Sequence, residues 1–458
     1  MPNKKINYHF IGIAGIGMSA LAQILALRGN KVSGSDLIEN PITDNLKKIG
    51  VKVYTGHKKE YLSPDTEMVV VSAAISDKNP EISEAKKLGI PIITRGELLG
   101  QMMDEKEGIA ITGTHGKTTT SSLISQIFED ANLKPTIAIG GEVGSTGSNA
   151  KEGNGKYFIA ETCEYKRFFA DIRPAIAVIT NIEEDHLDYY KDLDDIKSAF
   201  SDFTKNIKDN GLLVACFDDE NTREIADTFD GKVISYGISS DDLNYRADNI
   251  RIEENVQKFN VHKNGSDLGE FQMQVPGIHS ILNSLAAITV ALECGIKLGV
   301  IKESIAKFTG AVRRMETKGK RGEVLVIDDY AHHPTEIQAT LQAIRSFYPK
   351  RKICCVFQPH QHSRTRILLN NFVDALTEAD EIIIPKIYPV RDTAEDIASV
   401  SGENLADLLK KKGKPAKYIP DFKDVVSYLK DHASGNDIVI TMGAGPVNQV
   451  GEKYLNIE

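Results

Sequence analysis

The stretch Gly113-Thr114-His115-Gly116-Lys117-Thr118-Thr119-Thr120 places two glycines, a lysine and a run of hydroxyls between the apolar segment Gly108–Thr112 and the helix-like segment Ser121–Glu129. A strand, a glycine-rich turn and a helix in that order make a cradle for phosphate. The first amides of a helix lack intrahelical partners and sit at the positive end of its dipole. Lys117 is placed to reach β- and γ-phosphates, and Thr118 or Thr119 to set a hydroxyl on Mg²⁺. The residue five before Gly116 is Ile111, so the segment reads G-T-x-G-K-T-T and departs from the general G-x-x-x-x-G-K-[ST] loop.

Other groups with chemical potential also follow apolar, strand-like runs. Glu161 closes Tyr157–Ala160, and Asp185-His186 follows Ala175–Thr180. In a parallel sheet these ends open on one carboxyl edge, where ligands bind. Glu161 and His186 there suit a Mg²⁺ shell, with His186 acting through water because Mg²⁺ prefers oxygen; a purely structural histidine is the alternative. Glu164, Glu183 and Glu184 read as solvated surface. Asp329, beyond the strand ending at Asp328 and ahead of His332-His333-Pro334, suits either a ribose hydroxyl or a helix N-cap. In Gln358–Arg366, His360 lies near Arg364 and Arg366, whose planar forks match carboxylate or phosphate; a plain charged helix end fits the same residues. Near the start, Gly12, Gly15 and Gly17 form G-x-x-G-x-G rather than the dinucleotide order G-x-G-x-x-G, with Asp36 nineteen residues beyond Gly17.

Three α/β units are needed to position these groups. The first runs through strands Tyr8–Ile13, Lys31–Ser35, Met68–Ser72 and Ile90–Thr94, with helices through Leu27 and over Ile82–Leu88. The second opens on the phosphate loop and carries Tyr157–Ala160, Ala175–Thr180, an antiparallel excursion over Lys232–Val275 with an Asn264-Gly265 turn, and a helix Asn283–Glu293. The third has strands at Val324–Ile327, Lys352–Phe357, Glu381–Ile384 and Ile438–Thr441, and helices at Thr335–Phe347, Arg366–Leu376 and Asn404–Lys411. The expected class is α/β in three domains: a Rossmann-like domain 1–106, a central ATPase of phosphate-loop type at 107–314 with a mostly parallel sheet and a small antiparallel part, and a Rossmann-like domain 315–458.

Over 458 residues the chain is 41% hydrophobic and 26% charged with a net charge of −9. That balance argues against a nucleic-acid partner, whose phosphates call for clustered Lys and Arg. No apolar run reaches the ~18–20 residues of a membrane span, and Met1–Tyr8 runs into a strand without a signal-peptide core. Five cysteines with no C-x-x-C spacing point to reduced thiols and a cytoplasmic protein. Cys354 and Cys355 read as packing residues.

Together Gly12–Asp36, Gly113–Thr120, Thr180–His186, Asp328–Glu336 and Phe357–Arg366 resemble the Mur ligases, ATP-dependent amide-forming enzymes of peptidoglycan precursor synthesis. The openings G-I-A-G-I-G-M and D-D-Y-A-H-H-P-T-E are similar to the alanine-adding branch. The resemblance covers nearly the whole chain. It implies UDP-N-acetylmuramate and L-alanine as partners, ATP and Mg²⁺ as cofactors, and a C-terminal domain that closes over ATP and the amino acid. On it, the UDP-sugar meets Gly15, Ile16, Gly17, Met18, Asp36 and Ser72. ATP meets Gly113, Thr114, His115, Gly116, Lys117, Thr118, Thr119, Asn283, Arg314 and Asp329, with Thr118, Glu161 and His186 around the metal. His332 serves the reacting phosphate, and His360, Arg364 and Arg366 the carboxylates. A monomer or weak homodimer is expected. Departures from the family pattern are Ser280 for an Asn, Thr162–Tyr165 for a more acidic run, Gln361 for an Arg, Pro446 in a G-A-G-D-I stretch, and Ser201 where several relatives carry a modified lysine. Alternatives are a relative that adds a preformed peptide, a silent binding protein, and an NAD-type oxidoreductase built on Gly12–Gly17 and Asp36, which leaves Gly113–Thr120 unused.

Overall fold

The computed structural model describes residues 5–141, 148–390 and 392–456, so the first four residues of the Met1–Tyr8 stretch lie outside it. The chain gathers into two compact units. One comprises residues up to 249 with 260–271 and 282–306; the other comprises 250–259, 272–281 and 307 onward.

In the first unit, β1 (Asn7–Ile11), β2 (Lys31–Asp36), β3 (Lys52–Thr55), β4 (Met68–Val71) and β5 (Ile92–Thr94) form a parallel sheet in the order β3-β2-β1-β4-β5. The order reverses between β1 and β4, so the loops that follow them part and leave a crevice at the carboxyl edge. β1 stops at Ile11, two residues earlier than its apolar run, because Gly12 turns the chain at φ 85°. Three elements here lie outside the expected ones. The helix Pro41–Lys48 starts at an Asn40 capping box with Pro41 in its first turn, where the absent N–H costs nothing. β3 follows it, and Arg95–Asp104 is a helix capped by Thr94 and Glu97.

The same unit holds β6 (Glu107–Thr112), β7 (Thr136–Ala138), β8 (Ala150–Lys151), β9 (Tyr157–Glu161), β10 (Ile176–Ile179), β11 (Leu212–Cys216) and β12 (Lys232–Gly237). The ribbon β13 (Tyr245–Glu253), β14 (Val256–Lys263) and β15 (Ser266–Met273) continues the sheet in the order β15-β14-β13-β12-β11-β10-β6-β9-β7-β8. β6, β9, β10 and β11 are parallel and buried on both faces, hence their unbroken apolar sequences. The expected antiparallel excursion begins later than Lys232, since β12 pairs parallel with β11. Within the ribbon the two-residue turns Glu254-Asn255 and Asn264-Gly265 force hairpins, all four residues taking the positive φ that such turns require.

In the second unit β16 (Glu316–Arg321), β17 (Val324–Asp329), β18 (Ile353–Phe357), β19 (Glu381–Ile384), β20 (Ala416–Tyr418) and β21 (Ile438–Met442) stand in the order β16-β17-β21-β18-β19-β20, with β16 antiparallel to β17. Alternate strand residues face opposite layers. Leu325, Ile327, Cys355 and Ile440 pack under Ile337, Leu341 and Phe372, while Val326, Cys354 and Val439 pack under Val425, Leu429 and Tyr454. Both cysteines are therefore packing residues, as expected. The single helix expected over Arg366–Leu376 is two, His362–Ile367 and Leu369–Leu376. Among the described residues no helix is long and apolar enough to cross a membrane.

Gly96 and Gly100 lie four apart on one face of the helix Arg95–Asp104, and their bare backbone rests on the segment Tyr165–Asp171. An added Cβ would reach Phe168 O from position 96 at 2.6 Å and would collide with Asp171 O from position 100. Gly100→Ala is thus expected to destabilise the protein by about 1–3 kcal/mol. Gly299→Ala, in the helix Leu298–Lys307 with open space around it, is expected to stabilise by about 0.5 kcal/mol. Thermal unfolding of the two variants checks the opposite signs.

Candidate active site

β6 lies between β9 and β10, so the loop after Thr112 emerges beside Glu161 on one flank and Thr180-Asn181 on the other. The β10 flank pins the loop. Asn181 O accepts from Thr114 N at 2.9 Å, Asn181 Oδ1 accepts from His115 N at 2.8 Å, and Thr180 Oγ1 donates to His115 O at 2.6 Å. Gly113 (φ 131°) and Gly116 (φ 82°) take backbone that side chains resist, and a Cβ on either would collide with Thr180 Oγ1 or Asn283 Oδ1. The helix then starts at Lys117, four residues ahead of its sequence-based start, and points its unpaired first-turn amides at the cradle.

Lys117 Nζ is drawn back under the loop, donating to Gly113 O, to Thr114 O at 2.9 Å and to Glu164 Oε1 at 3.2 Å. Burial acts to lower its pKa. The Glu164 carboxylate outweighs that, with Cys163 and Glu161, and the ammonium is held above the ordinary lysine value. Thr118 Oγ1 donates to Glu161 Oε2 at 2.8 Å, and Gly140 N donates to the same oxygen at 2.9 Å. An oxygen pair of this kind, a hydroxyl beside a carboxylate at a helix N-terminus, is the donor set that Mg²⁺ prefers. His186 sits beyond β10 with φ 55°, its ring 4.8 Å from that of Tyr165 and its Nε2 3.7 Å from Glu164 Oε1. Asn283 is buried beneath the loop and accepts from Thr120 Oγ1 at 3.2 Å. Thr119 is partly exposed.

Glu164 corrects the sequence reading. It is not solvated surface: its side chain is 3% exposed and pairs with Lys117. Its position three residues beyond Glu161, on the same edge, was the available signal. Glu183 is half-buried against His115 at 3.3 Å, while Glu184 is exposed as expected.

In the five-stranded sheet the Asp36 carboxylate accepts from Ala14 N at 2.9 Å and from Leu37 N at 2.8 Å, so it braces the glycine turn. Ile16 is 47% exposed and Met18 buried; Ser72 follows β4 with its amide on Ile11 O at 3.1 Å. Arg95, which the sequence reading passed over, presses its guanidinium against Gly17, leaving no room for a Cβ there. The Thr94–Glu97 capping box marked a helix starting at a strand end, which is what brings Arg95 to this edge. Ile16, Gly17, Arg95, Gly140, Glu161 and Cys163 line one cleft of about 70 Å³. The glycine turn of the first sheet thus opens toward the carboxylate that meets Thr118.

In the second unit Asp329 ends β17, and Gln358 and Gly443 follow the neighbouring strands β18 and β21. Asp329 is neither exposed nor an N-cap. It ends β17, buried, accepting from Met315 N and Ala331 N at 2.7 Å each, and the helix cap falls to His333. Burial pushes its pKa up to about 6 against the opposing charge of Arg314. Arg314 stacks on Tyr330 and lies 3.6 Å from Glu336, and His332 Nδ1 lies 3.3 Å from Glu336. The rings of His332 and His360 come within 5.9 Å, and His360 also meets Tyr388. Arg364 is partly exposed on the helix His362–Ile367, and Arg366 points out toward Asp396 at 3.8 Å, with its side chain 52% exposed.

Three family models match the chain: the catalytic domain of the Mur ligase family over residues 7–107, the Mur ligase middle domain over 111–291 and the Mur ligase glutamate ligase domain over 313–445. A UDP-N-acetylmuramate–L-alanine ligase of Acetivibrio thermocellus is 45% identical over 457 residues, covering 99% of this chain and 96% of the relative. One of Clostridium botulinum is 46% identical, with 99% and 98% covered. Among solved structures, the UDP-N-acetylmuramate–alanine ligase of Thermotoga maritima superposes with a TM-score of 0.84 at 31% identity over 98% of both chains. A murein peptide ligase of Psychrobacter arcticus shares the fold, with a TM-score of 0.73 at 23% identity over 99% and 98%.

Asp329 gives a stability signature. The folded carboxyl holds its proton to about pH 6, whereas the unfolded one releases it near 3.9. Its contribution is therefore complete below pH ~4 and lost as pH rises through ~6. The unfolding free energy of wild type minus that of Asp329→Asn is expected to fall by up to about 3 kcal/mol across this window. Urea unfolding at stepped pH measures it, and a flat difference would show the carboxyl ionised throughout.

Proposed function

From the premise that this chain belongs to the Mur ligase family, we propose that it joins L-alanine to the lactyl carboxylate of UDP-N-acetylmuramate at the expense of ATP, in peptidoglycan precursor synthesis. The observation that carries this is the cleft that runs from the glycine turn at Gly17 to Glu161, beside the loop that encloses Lys117. A sugar nucleotide seated at the first turn would extend its acid toward the phosphate-binding residues.

A carboxylate resists an amine in water because its leaving group would be oxide. Transfer of the ATP γ-phosphoryl group to the lactyl carboxylate makes an acyl phosphate. The alanine amine attacks that carbonyl, and inorganic phosphate leaves through a tetrahedral intermediate. Such a transfer is driven by positioning and by neutralising charge on the moving phosphoryl group. Lys117 and the first-turn amides supply positive charge from the protein. Thr118 and Glu161, with His186, would hold Mg²⁺, which lends further neutralisation to the phosphates. Arg95 suits an anionic group of the sugar nucleotide, since its fork stands against the amino end of the helix Ile16–Leu27. Arg314, Asp329 and His332 are assigned to ATP, and His360, Arg364 and Arg366 to the amino acid. The division at 106 and 314, a cytoplasmic location and a monomeric or weakly dimeric state belong to the same proposal. Family membership leaves the nicotinamide alternative without support.

Phosphate release with ATP and UDP-N-acetylmuramate, with or without alanine, glycine, serine or a peptide, tests the reading. Release is expected to require both the sugar acid and alanine. Release that depends on the peptide instead would move the chain to the peptide-adding activity. Lys117→Ala is expected to lose about a thousandfold in turnover while still folding, with a lowered melting temperature because Glu164 is left buried without its partner; near-normal ligation would refute the assignment.

A further inference from the structure

Glu164 is a buried carboxylate that binding and phosphoryl transfer do not by themselves require. Its main chain is fixed, its carbonyl accepting from Tyr190 Oη and from Arg167 N at 2.8 Å. Both carboxylate oxygens stand 3.2 Å from Lys117 Nζ, and Oε2 is enclosed with no hydrogen-bond partner among the described residues. On its far side Oε1 faces His186 Nε2 at 3.7 Å. A buried charge persists only when compensated, and here lysine and glutamate compensate each other. An incoming triphosphate breaks that balance. It becomes the partner of Lys117 and leaves Glu164 as a negative charge facing phosphate in a medium of low dielectric, where repulsion is strong.

We propose that Glu164 is the resting counter-charge of Lys117, competing with nucleotide phosphate for the ammonium and thereby making ATP affinity conditional on a divalent cation. Its role is positioning, exerted through Lys117. The proposal rests on Lys117 being the phosphate lysine, so the test must separate the two.

Titration calorimetry of ATP against wild type, Glu164→Gln, Glu164→Asp and Lys117→Ala, in Mg²⁺ and in EDTA, makes that separation. In EDTA the Gln variant is expected to bind ATP about tenfold tighter than wild type, and the gain in affinity from Mg²⁺ to shrink by the same factor, a usual size for coupling between two ligands. The Asp variant, which keeps the charge, should retain the wild-type gain. A merely structural role for Glu164 predicts looser binding in both media, and that outcome, or EDTA affinity equal to wild type, overturns the proposal. Wild type alone provides a second measurement should the Gln variant fail to fold: ATP bound equally well in EDTA and in Mg²⁺ also overturns it. Lys117→Ala binding ATP as tightly as wild type in Mg²⁺ would instead bring down the phosphate-lysine assignment itself.

Discussion

A lysine ammonium held beneath a glycine loop must be balanced by negative charge, and that balance organises the first unit. Lys117 is enclosed by the carbonyls of Gly113 and Thr114 and by the Glu164 carboxylate. Burial of this kind strengthens the pull between the ammonium and any anion that meets it. The same enclosure would be costly with no anion present, and Glu164 meets that cost in the nucleotide-free chain. The neighbouring carboxylate Glu161 is aimed elsewhere, at Thr118 and Gly140 N. Two acids three residues apart thus divide the work, one beside the cation of the protein and one beside the hydroxyl that suits an added cation.

That division depends on strand order. β6 stands between β9 and β10, so Glu161 at the end of β9, Glu164 just beyond it and the Thr180-Asn181 pair that follows β10 reach the same loop from opposite sides. Asn181 satisfies three main-chain groups of the loop at once, through its carbonyl and both ends of its side-chain amide. The loop is preorganised by its neighbours, and Gly113 and Gly116 are what allow it to lie close enough to them. In the second unit the same logic recurs, with Asp329, Gln358 and Gly443 at the ends of adjoining strands. There the acid is spent on the amides of Met315 and Ala331, which fixes the turn carrying Arg313 and Arg314.

Most of the fold could be read from the chain because buried parallel strands announce themselves as unbroken apolar runs. Ile353–Phe357, Glu381–Ile384 and Tyr157–Glu161 match the expected segments to within a residue. What escaped was short or mixed in pattern. β3 (Lys-Val-Tyr-Thr) is partly exposed, and Arg95–Asp104 carries two glycines whose helical cost is offset by close packing, so neither has a clean period. The break at Leu368 (φ −100°, ψ 19°) carries no glycine or proline to mark it in the sequence, and Phe372 and Leu376 beyond it are buried in the core. β12 differs from its expected antiparallel place because its short β-like sequence resembles a hairpin strand, whereas it pairs parallel with β11.

The site divided along the same line. The phosphate loop, Glu161 and the His332–His360 pair follow from strand-end position, which the sequence supplies. The state of charge does not, because it depends on what encloses a side chain. Glu164 and Glu184 are both glutamates a few residues past a strand, yet one is enclosed against Lys117 and the other faces solvent. Tyr190 separates the two cases: itself buried, it holds the Glu164 carbonyl through its hydroxyl. That contact joins residues 26 apart in the chain, and no local pattern encodes it. Where the burial of a charge depends on a distant contact of this kind, sequence supplies the candidates, and only packing decides which of them carries the charge into the site.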